Sequence, residues 1–265
     1  MANPIKYDLY ENSVQTPVLH VQMFSTMFQE IRKTPAKQLR EDFCGTFLLS
    51  CHWVRQNPKN TALCLDIDPE PLEYGKKKHW ARLTDDQKQR INLGQANVLK
   101  STRIKNDLIV GCNFSFFVFK ERELLLQYFK SALKSLNSKG LLILEMAGGP
   151  GMITTPSKEQ RTIYRTPKEK FVYVWEQKSF DPIDRTARYA IHFKLQNGTV
   201  LKNAFTYDWR LWTIPEIRDA MKEAGFKDTC VYWETSHQGE GTGEYARIEQ
   251  GDNAFAWIAY VIGIK

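Results

Sequence analysis

A chain of 265 residues with 42% hydrophobic residues has enough apolar material for one α/β domain with an insertion, and none of its apolar runs is as long as a membrane span. The net charge of +7 leaves an acidic partner open, but much of it comes from runs such as Lys76-Lys77-Lys78 on a predicted helix, where a solvated face accounts for it. The five cysteines (Cys44, Cys51, Cys64, Cys112, Cys230) are odd in number and lack zinc-ligand spacing, and MANPIKYDLYENS has no apolar signal core, so a reduced cytoplasmic protein is expected.

Residues 5–33 read as helix in two pieces. Tyr7, Tyr10 and Val14 share a face of the first, and Val18, Val21, Met23, Phe24, Met27 and Phe28 form an apolar stripe on the second, which Pro17 begins. A strand at 38–42 runs into the turn Phe43-Cys44-Gly45-Thr46. Phe47, Leu48, Cys51 and Val54 then recur at helical spacing until Asn57-Pro58 ends the helix. A strand at 62–66, a helix at 69–83 and strands at 91–95 and 107–113 follow. Next come a helix at 121–136, the turn Asn137-Ser138-Lys139-Gly140 and a strand at 141–146. This alternation predicts a doubly wound parallel sheet. Residues 152–168 are polar and aperiodic, and predict a loop. Strand-like runs at 171–179, 187–196 and 199–206 predict an antiparallel insertion, with Asn197-Gly198 as a two-residue hairpin turn. A helix at 214–224, between Thr213 as cap and Gly225 as stop, and strands at 229–235 and 255–262 complete the chain.

The richest stretch is 39–68, a strand–turn–helix–strand unit with an acid near the end of each strand. Ligands bind outside the carboxyl ends of parallel strands in such units. This stretch resembles the opening of the class I S-adenosylmethionine-dependent methyltransferase family. Glu41 stands for the acid of its first motif, Gly45 is the one turn glycine kept, and Phe43 and Phe47 replace two others. Asp66-Ile67-Asp68-Pro69-Glu70-Pro71-Leu72 matches the second motif and Gln95-Ala96-Asn97-Val98-Leu99 the third. With its Phe-Thr-Tyr-Asp-Trp-Arg segment, the whole chain is similar to an uncharacterised bacterial and plant branch of that family.

The resemblance implies an α/β fold: a Rossmann-like seven-stranded sheet with an antiparallel insertion after the fifth strand. It divides the chain into a helical lid (1–37), a cofactor-binding core (38–150), an insertion over the substrate site (151–212) and a C-terminal completion of the sheet (213–265). It implies S-adenosyl-L-methionine as cofactor, bound by Tyr10 and Gln15 of the lid, by Arg40, Glu41, Phe43, Cys44, Gly45 and Thr46, by Asp66 and Ile67, by Asn97 and Val98, and by Asn113 and Phe114. Asp66 would hold the ribose hydroxyls, and the Asn97 carbonyl would accept from the adenine amino group.

Methyl transfer needs orientation, exclusion of water and at most one base, so catalytic groups are sought where the chain would surround the cofactor. Tyr207 and Asp208, in a segment dense in aromatic and charged residues, and Glu234, before the glycine-rich segment 237–243, are the candidates. The same Tyr207–Asp208 segment also reads as a seam where the insertion rejoins the core. His192 reads as structural and His237 as an active-site loop residue, and the histidine spacing predicts no metal site. The expected acceptor is a small molecule. RNA methylation, non-catalytic cofactor binding and, more distantly, nicotinamide chemistry are the alternatives. A monomer or homodimer without membrane contact is expected.

Overall fold

The computed structural model describes residues 5–237 and 240–265, so residues 1–4, and Gln238 and Gly239 of the glycine-rich segment, lie outside the described residues, as does the side chain of His237. The N-terminal helices are α1 (Ile5–Val14) and α2 (Pro17–Arg32). The core then runs β1 (Gln38–Asp42), α3 (Leu48–Gln56), β2 (Thr61–Asp66), α4 (Pro69–Lys78), α5 (Asp85–Gln89), β3 (Ile91–Gln95), β4 (Asn106–Gly111), α6 (Arg122–Ser135) and β5 (Leu136–Gly148). The insertion is β6 (Ser157–Thr166), β7 (Glu169–Phe180), β8 (Thr186–Leu195) and β9 (Val200–Arg210). The chain ends with α7 (Ile214–Glu223), β10 (Asp228–His237), β11 (Glu240–Ile248) and β12 (Trp257–Ile264).

The central sheet has the order β3-β2-β1-β4-β5-β12-β10-β11. Strands β1 to β5 are parallel, and β12, β10 and β11 are antiparallel additions. Its inner strands are buried on both faces. Leu39, Leu108, Val110 and Ile143 meet Phe24 of α2 and Val54 of α3 on one face, while Ile109, Leu142 and Leu144 meet Leu125 and Phe129 of α6 and Ile217 of α7 on the other. The insertion forms a separate four-stranded antiparallel sheet, β6-β7-β8-β9. Its inner face, with Phe171, Tyr173, Ile191 and Phe193, packs on Leu9 of α1.

Two expectations are corrected. The central sheet has eight strands rather than seven, because β11 pairs along β10 where a glycine-rich loop was expected. The segment 152–168 holds a strand, β6, that extends the insertion from three strands to four. Both are edge strands exposed over most of their length, so neither carries the apolar alternation that marks a half-buried strand. The predicted helix 69–83 stops at Lys78, and the predicted turn 137–140 lies inside β5, at a pairing irregularity with β4.

Helix α4 crosses the turn after β1 at close range, and Gly75 permits it. A Cβ there would lie 2.3 Å from the Thr46 carbonyl oxygen and 2.5 Å from the Phe47 ring. Alanine in an unconstrained helix is better than glycine by about 1 kcal/mol. Here Gly75→Ala is expected to destabilise instead, by about 1–3 kcal/mol of overpacking. Urea denaturation checks the sign, and a stabilised variant would contradict this packing.

Candidate functional site

The turn after β1 takes a left-handed path with Gly45 as its one glycine. Phe43, Gly45 and Phe47 all take left-handed backbone angles, with φ of 56°, 52° and 47°. That conformation costs a residue with a Cβ about 1–2 kcal/mol. The hydrogen bonds Cys44 N to Leu65 O, 3.0 Å, and Phe47 N to Cys44 O, 2.7 Å, hold it. Asn113 and Phe114, just after β4, are left-handed too, with φ of 53° and 57°. Strained backbone thus gathers at the carboxyl ends of neighbouring strands, where such sheets bind ligands.

Gly45 and Asp66 meet on that rim. A Cβ on Gly45 would meet nothing within 4 Å. The Gly45 N–H donates to Asp66 Oδ2 at 2.7 Å, and the Asp68 N–H donates to Oδ1 at 2.9 Å. Burial raises the Asp66 pKa above the ordinary value, and these amide bonds oppose the shift. Each Asp66 oxygen retains a lone pair for a further donor. Ile67 is 67% exposed beside it. Asn97 is exposed, with Oδ1 accepting from Leu99 N at 2.9 Å.

Other expected cofactor residues lie beneath this surface. Arg40 is fully buried; its Nε donates to Asp42 Oδ1 at 2.6 Å, and Tyr128 donates to Oδ2 at 3.0 Å. Glu41 is buried on the opposite face of β1, its Oε2 accepting from the Ser50 N–H at 3.0 Å. Burial pushes its pKa up to about 8, against the Ser50 bonds. Cys44 and Val98 are buried as well, and burial drives the Cys44 thiol well above its ordinary value. Phe43 packs against Phe119 and Tyr128. These residues shape the turn from behind.

Thr46 faces the N-terminal helix, its Oγ1 donating to Glu11 Oε1 at 2.6 Å. Glu11 Oε1 also lies 2.6 Å from His79 Nε2, and Oε2 is 3.0 Å from Lys78 Nζ. Burial pushes the Glu11 pKa up, but the bonds from His79, Thr46 and Lys78 outweigh it and the net shift is downward. Asp8 pairs with Lys78 and with Arg165 of β6. Tyr7 donates to Glu70 Oε1 at 2.8 Å, at the start of α4. Helix α1 is thereby pinned between the core and the insertion.

Between α1, the strand ends and the insertion lies a cavity of about 530 Å³. It brings together Tyr10, Gln15, Asn113, Phe114, Tyr207 and Glu234 from the expected set. Gln15 Oε1 is buried with no hydrogen-bond partner among the described residues. Tyr207 and Trp209 stand side by side on the cavity wall, ring centroids 4.4 Å apart, with Trp175 5.8 Å from Tyr207. The Tyr10 and Tyr207 hydroxyls interact, and burial raises the pKa of both. Asp208 does not share this place. Strand alternation turns it outward, where it is half exposed and pairs with Lys120 Nζ at 2.9 Å. The seam reading holds for that outward side: Arg210 stacks on Trp212 at 3.7 Å and donates to the Lys120 carbonyl. Tyr7 also falls outside the cavity lining. His192 lies on the outer face of the insertion, 2.9 Å from Glu176.

Sequence reading missed Glu145, which is buried and lines the cavity. The Asn113 N–H donates to its Oε2 at 2.5 Å and the Tyr260 hydroxyl to its Oε1 at 3.2 Å. The available signal was one acid inside the apolar run Leu-Leu-Ile-Leu-Glu-Met-Ala, since a buried carboxylate in such a strand is costly without partners or a role. Arg161, Tyr173 and Trp257 also line the cavity unforeseen. Among the described residues no three His, Cys, Asp or Glu side chains form a metal-ligand set, and no helix is long and apolar enough to cross a membrane.

No family model and no curated protein matches the sequence. Solved structures do match the fold. The S-adenosylmethionine-bound amino pentose methyltransferase CalS10 of Micromonospora echinaspora is 13% identical, with a TM-score of 0.69 over 97% of this chain and 96% of its own. A S-adenosylmethionine-dependent methyltransferase of Clostridium acetobutylicum is 15% identical, with a TM-score of 0.70 over 97% and 96%. The sugar N-methyltransferase KedS8 of a Streptoalloteichus species is 16% identical, with a TM-score of 0.67 over 98% and 92%. The chain has the fold of these methyltransferases along nearly all of its length.

The Glu41 environment gives a pH test. Its folded-state pKa of about 8 lies above the unfolded value, so its contribution is fully present below about pH 4.3 and is lost as pH rises through about 8. Glu41→Gln keeps an acceptor for Ser50 and removes the titration. Relative to wild type, the variant is expected to gain stability steadily between pH 5 and 8. Parallel stability–pH curves would contradict the assignment.

Proposed function

We propose that this protein is an S-adenosylmethionine-dependent methyltransferase that methylates a small amine. The observation that carries the reading is the aromatic cavity between α1, the strand ends and the insertion, with the Gly45–Asp66 pair at the carboxyl ends of the same sheet, on a fold shared with methyltransferases over nearly the whole chain. A volume of about 530 Å³ is within the usual range of small-molecule pockets. One neighbour is described as an amino pentose methyltransferase and another as a sugar N-methyltransferase, which supports an amine acceptor.

The residues present fit the cofactor. The open side of Gly45 lets a ligand approach the backbone, Asp66 has lone pairs for two ribose hydroxyls, and Asn97 offers a carbonyl to the adenine edge. The orphaned Gln15 Oε1 is an acceptor in want of a donor such as the cofactor's ammonium group. The bound cofactor supplies a methyl group already activated on a sulfonium. The chain's own residues do the rest. Glu145, fixed by Asn113 and Tyr260, accepts a hydrogen bond from the acceptor ammonium and takes its proton, freeing the nitrogen lone pair. Glu234, fixed by the Gly243 N–H at 3.0 Å, adds negative charge. Tyr207, Trp209 and Trp175 offer ring faces to a cationic group and exclude water.

Calorimetry with S-adenosylmethionine and its demethylated product tests this reading. Asp66→Ala is expected to weaken binding at least about tenfold, since charge-assisted bonds to two hydroxyls are lost. An unchanged Kd would show that the ribose lies elsewhere. Glu145→Gln is expected to keep cofactor affinity and lower turnover by about 10²-fold or more. RNA binding that falls steeply with salt would favour the nucleic-acid alternative instead.

A further inference from the structure

The cavity is charged asymmetrically, and this bears on its substrate. Both acids that line it, Glu145 and Glu234, come from the central sheet. Arg161 of β6 is its one basic lining residue and comes from the roof. The Arg161 guanidinium sits over the Tyr173 ring, its Cζ 4.8 Å from the ring centroid. Among the described residues no carboxylate lies within ion-pair distance of it. Arg165 on the same strand shows the contrast: it pairs with both Asp8 and Glu169. A guanidinium held by a ring face keeps its edge N–H groups in a fixed fork that matches a carboxylate or phosphate.

We propose that Arg161 forms an anion subsite for the methyl acceptor. The acceptor is then a compact zwitterion, with its amine toward Glu145 and Glu234 and a carboxylate or phosphate on Arg161. The inference rests on the methyltransferase reading and deepens it. A simple solvated arginine lying on a tyrosine is the opposing account, and it predicts no effect on ligand choice.

The test is calorimetric titration of the full chain saturated with S-adenosylhomocysteine. The probes are matched pairs that differ by the anion: histidine and histamine, tyrosine and tyramine, glucosamine 6-phosphate and glucosamine. At least one anionic member is expected to bind about tenfold or more tighter than its partner. The pair that discriminates identifies carboxylate or phosphate. Arg161→Gln should erase the preference, Arg161→Lys should retain part of it, and both should bind S-adenosylhomocysteine within about twofold of wild type. Equal or tighter binding of the amines lacking the anion overturns the proposal, as does binding of none of the probes. A loss of S-adenosylhomocysteine affinity in Arg161→Gln also overturns it, because the arginine would then serve the cofactor's own carboxylate. If wild type does not bind S-adenosylhomocysteine at all, the methyltransferase reading itself fails, and this inference fails with it.

Discussion

The site depends on one buried carboxylate. Glu11 leaves water at the middle of α1, a position that would be prohibitive for an unpaired charge. It is tolerated because Thr46, Lys78 and His79 converge on its two oxygens. These partners come from the turn after β1 and from the end of α4, so one side chain fixes the N-terminal helix against that turn. Tyr10, a residue before Glu11, is thereby placed in the cavity, and Gln15, a turn later, brings its unpartnered carbonyl to the same space. The depressed Glu11 pKa makes this tie an asset above the ordinary carboxylate range and a loss as pH falls through it.

Around that tie, the polar and apolar roles are divided by strand geometry. In β1, Arg40 and Asp42 point to one face of the sheet and Glu41 to the other, so three adjacent charged residues divide between two buried networks. In β9, Tyr207 and Trp209 face the cavity while Asp208 pairs with Lys120 outside. The insertion is therefore both a wall and a clamp: its inner residues form the aromatic lining, and its outer residues anchor it to the loop after β4. The aromatic rings gain by burial, and Glu145 and Arg161 line the same cavity from opposite sides, one from the central sheet and one from the insertion.

The sequence made much of the parallel core legible because strands such as β2 and β4 are short apolar runs, with 62–66 followed by the turn signal Asp68-Pro69. The hairpin at Asn197-Gly198 was legible, but not its length: Leu195 N donates to Thr199 O and only Gly198 in the turn takes a positive φ, so the loop is the three residues Gln196-Asn197-Gly198 rather than two. Edge strands β6 and β11 were not, since exposure on both faces removes the pattern on which recognition relies. Among the expected site residues, the structure gathers Tyr10, Gln15, Asn113, Phe114, Tyr207 and Glu234 at one cavity. Asp208 was misplaced because a cluster of reactive residue types was read without the two-residue period that separates its faces. Arg40 and Glu41 were drawn into the expected site by their nearness to the turn, whereas their side chains serve its foundations. Glu145 escaped because its partners, Asn113 and Tyr260, are distant in sequence and meet only in the folded sheet.

The central claim is that the cofactor's ribose sits on Asp66 and its reacting end enters the cavity to face Tyr207 and Glu145. A crystal structure with bound S-adenosylhomocysteine measures this directly. The account predicts the ribose on Asp66 and the sulfur turned into the cavity among Tyr10, Asn113, Tyr207 and Glu145. A ligand seated away from Asp66, or a sulfur facing away from the insertion, would contradict it.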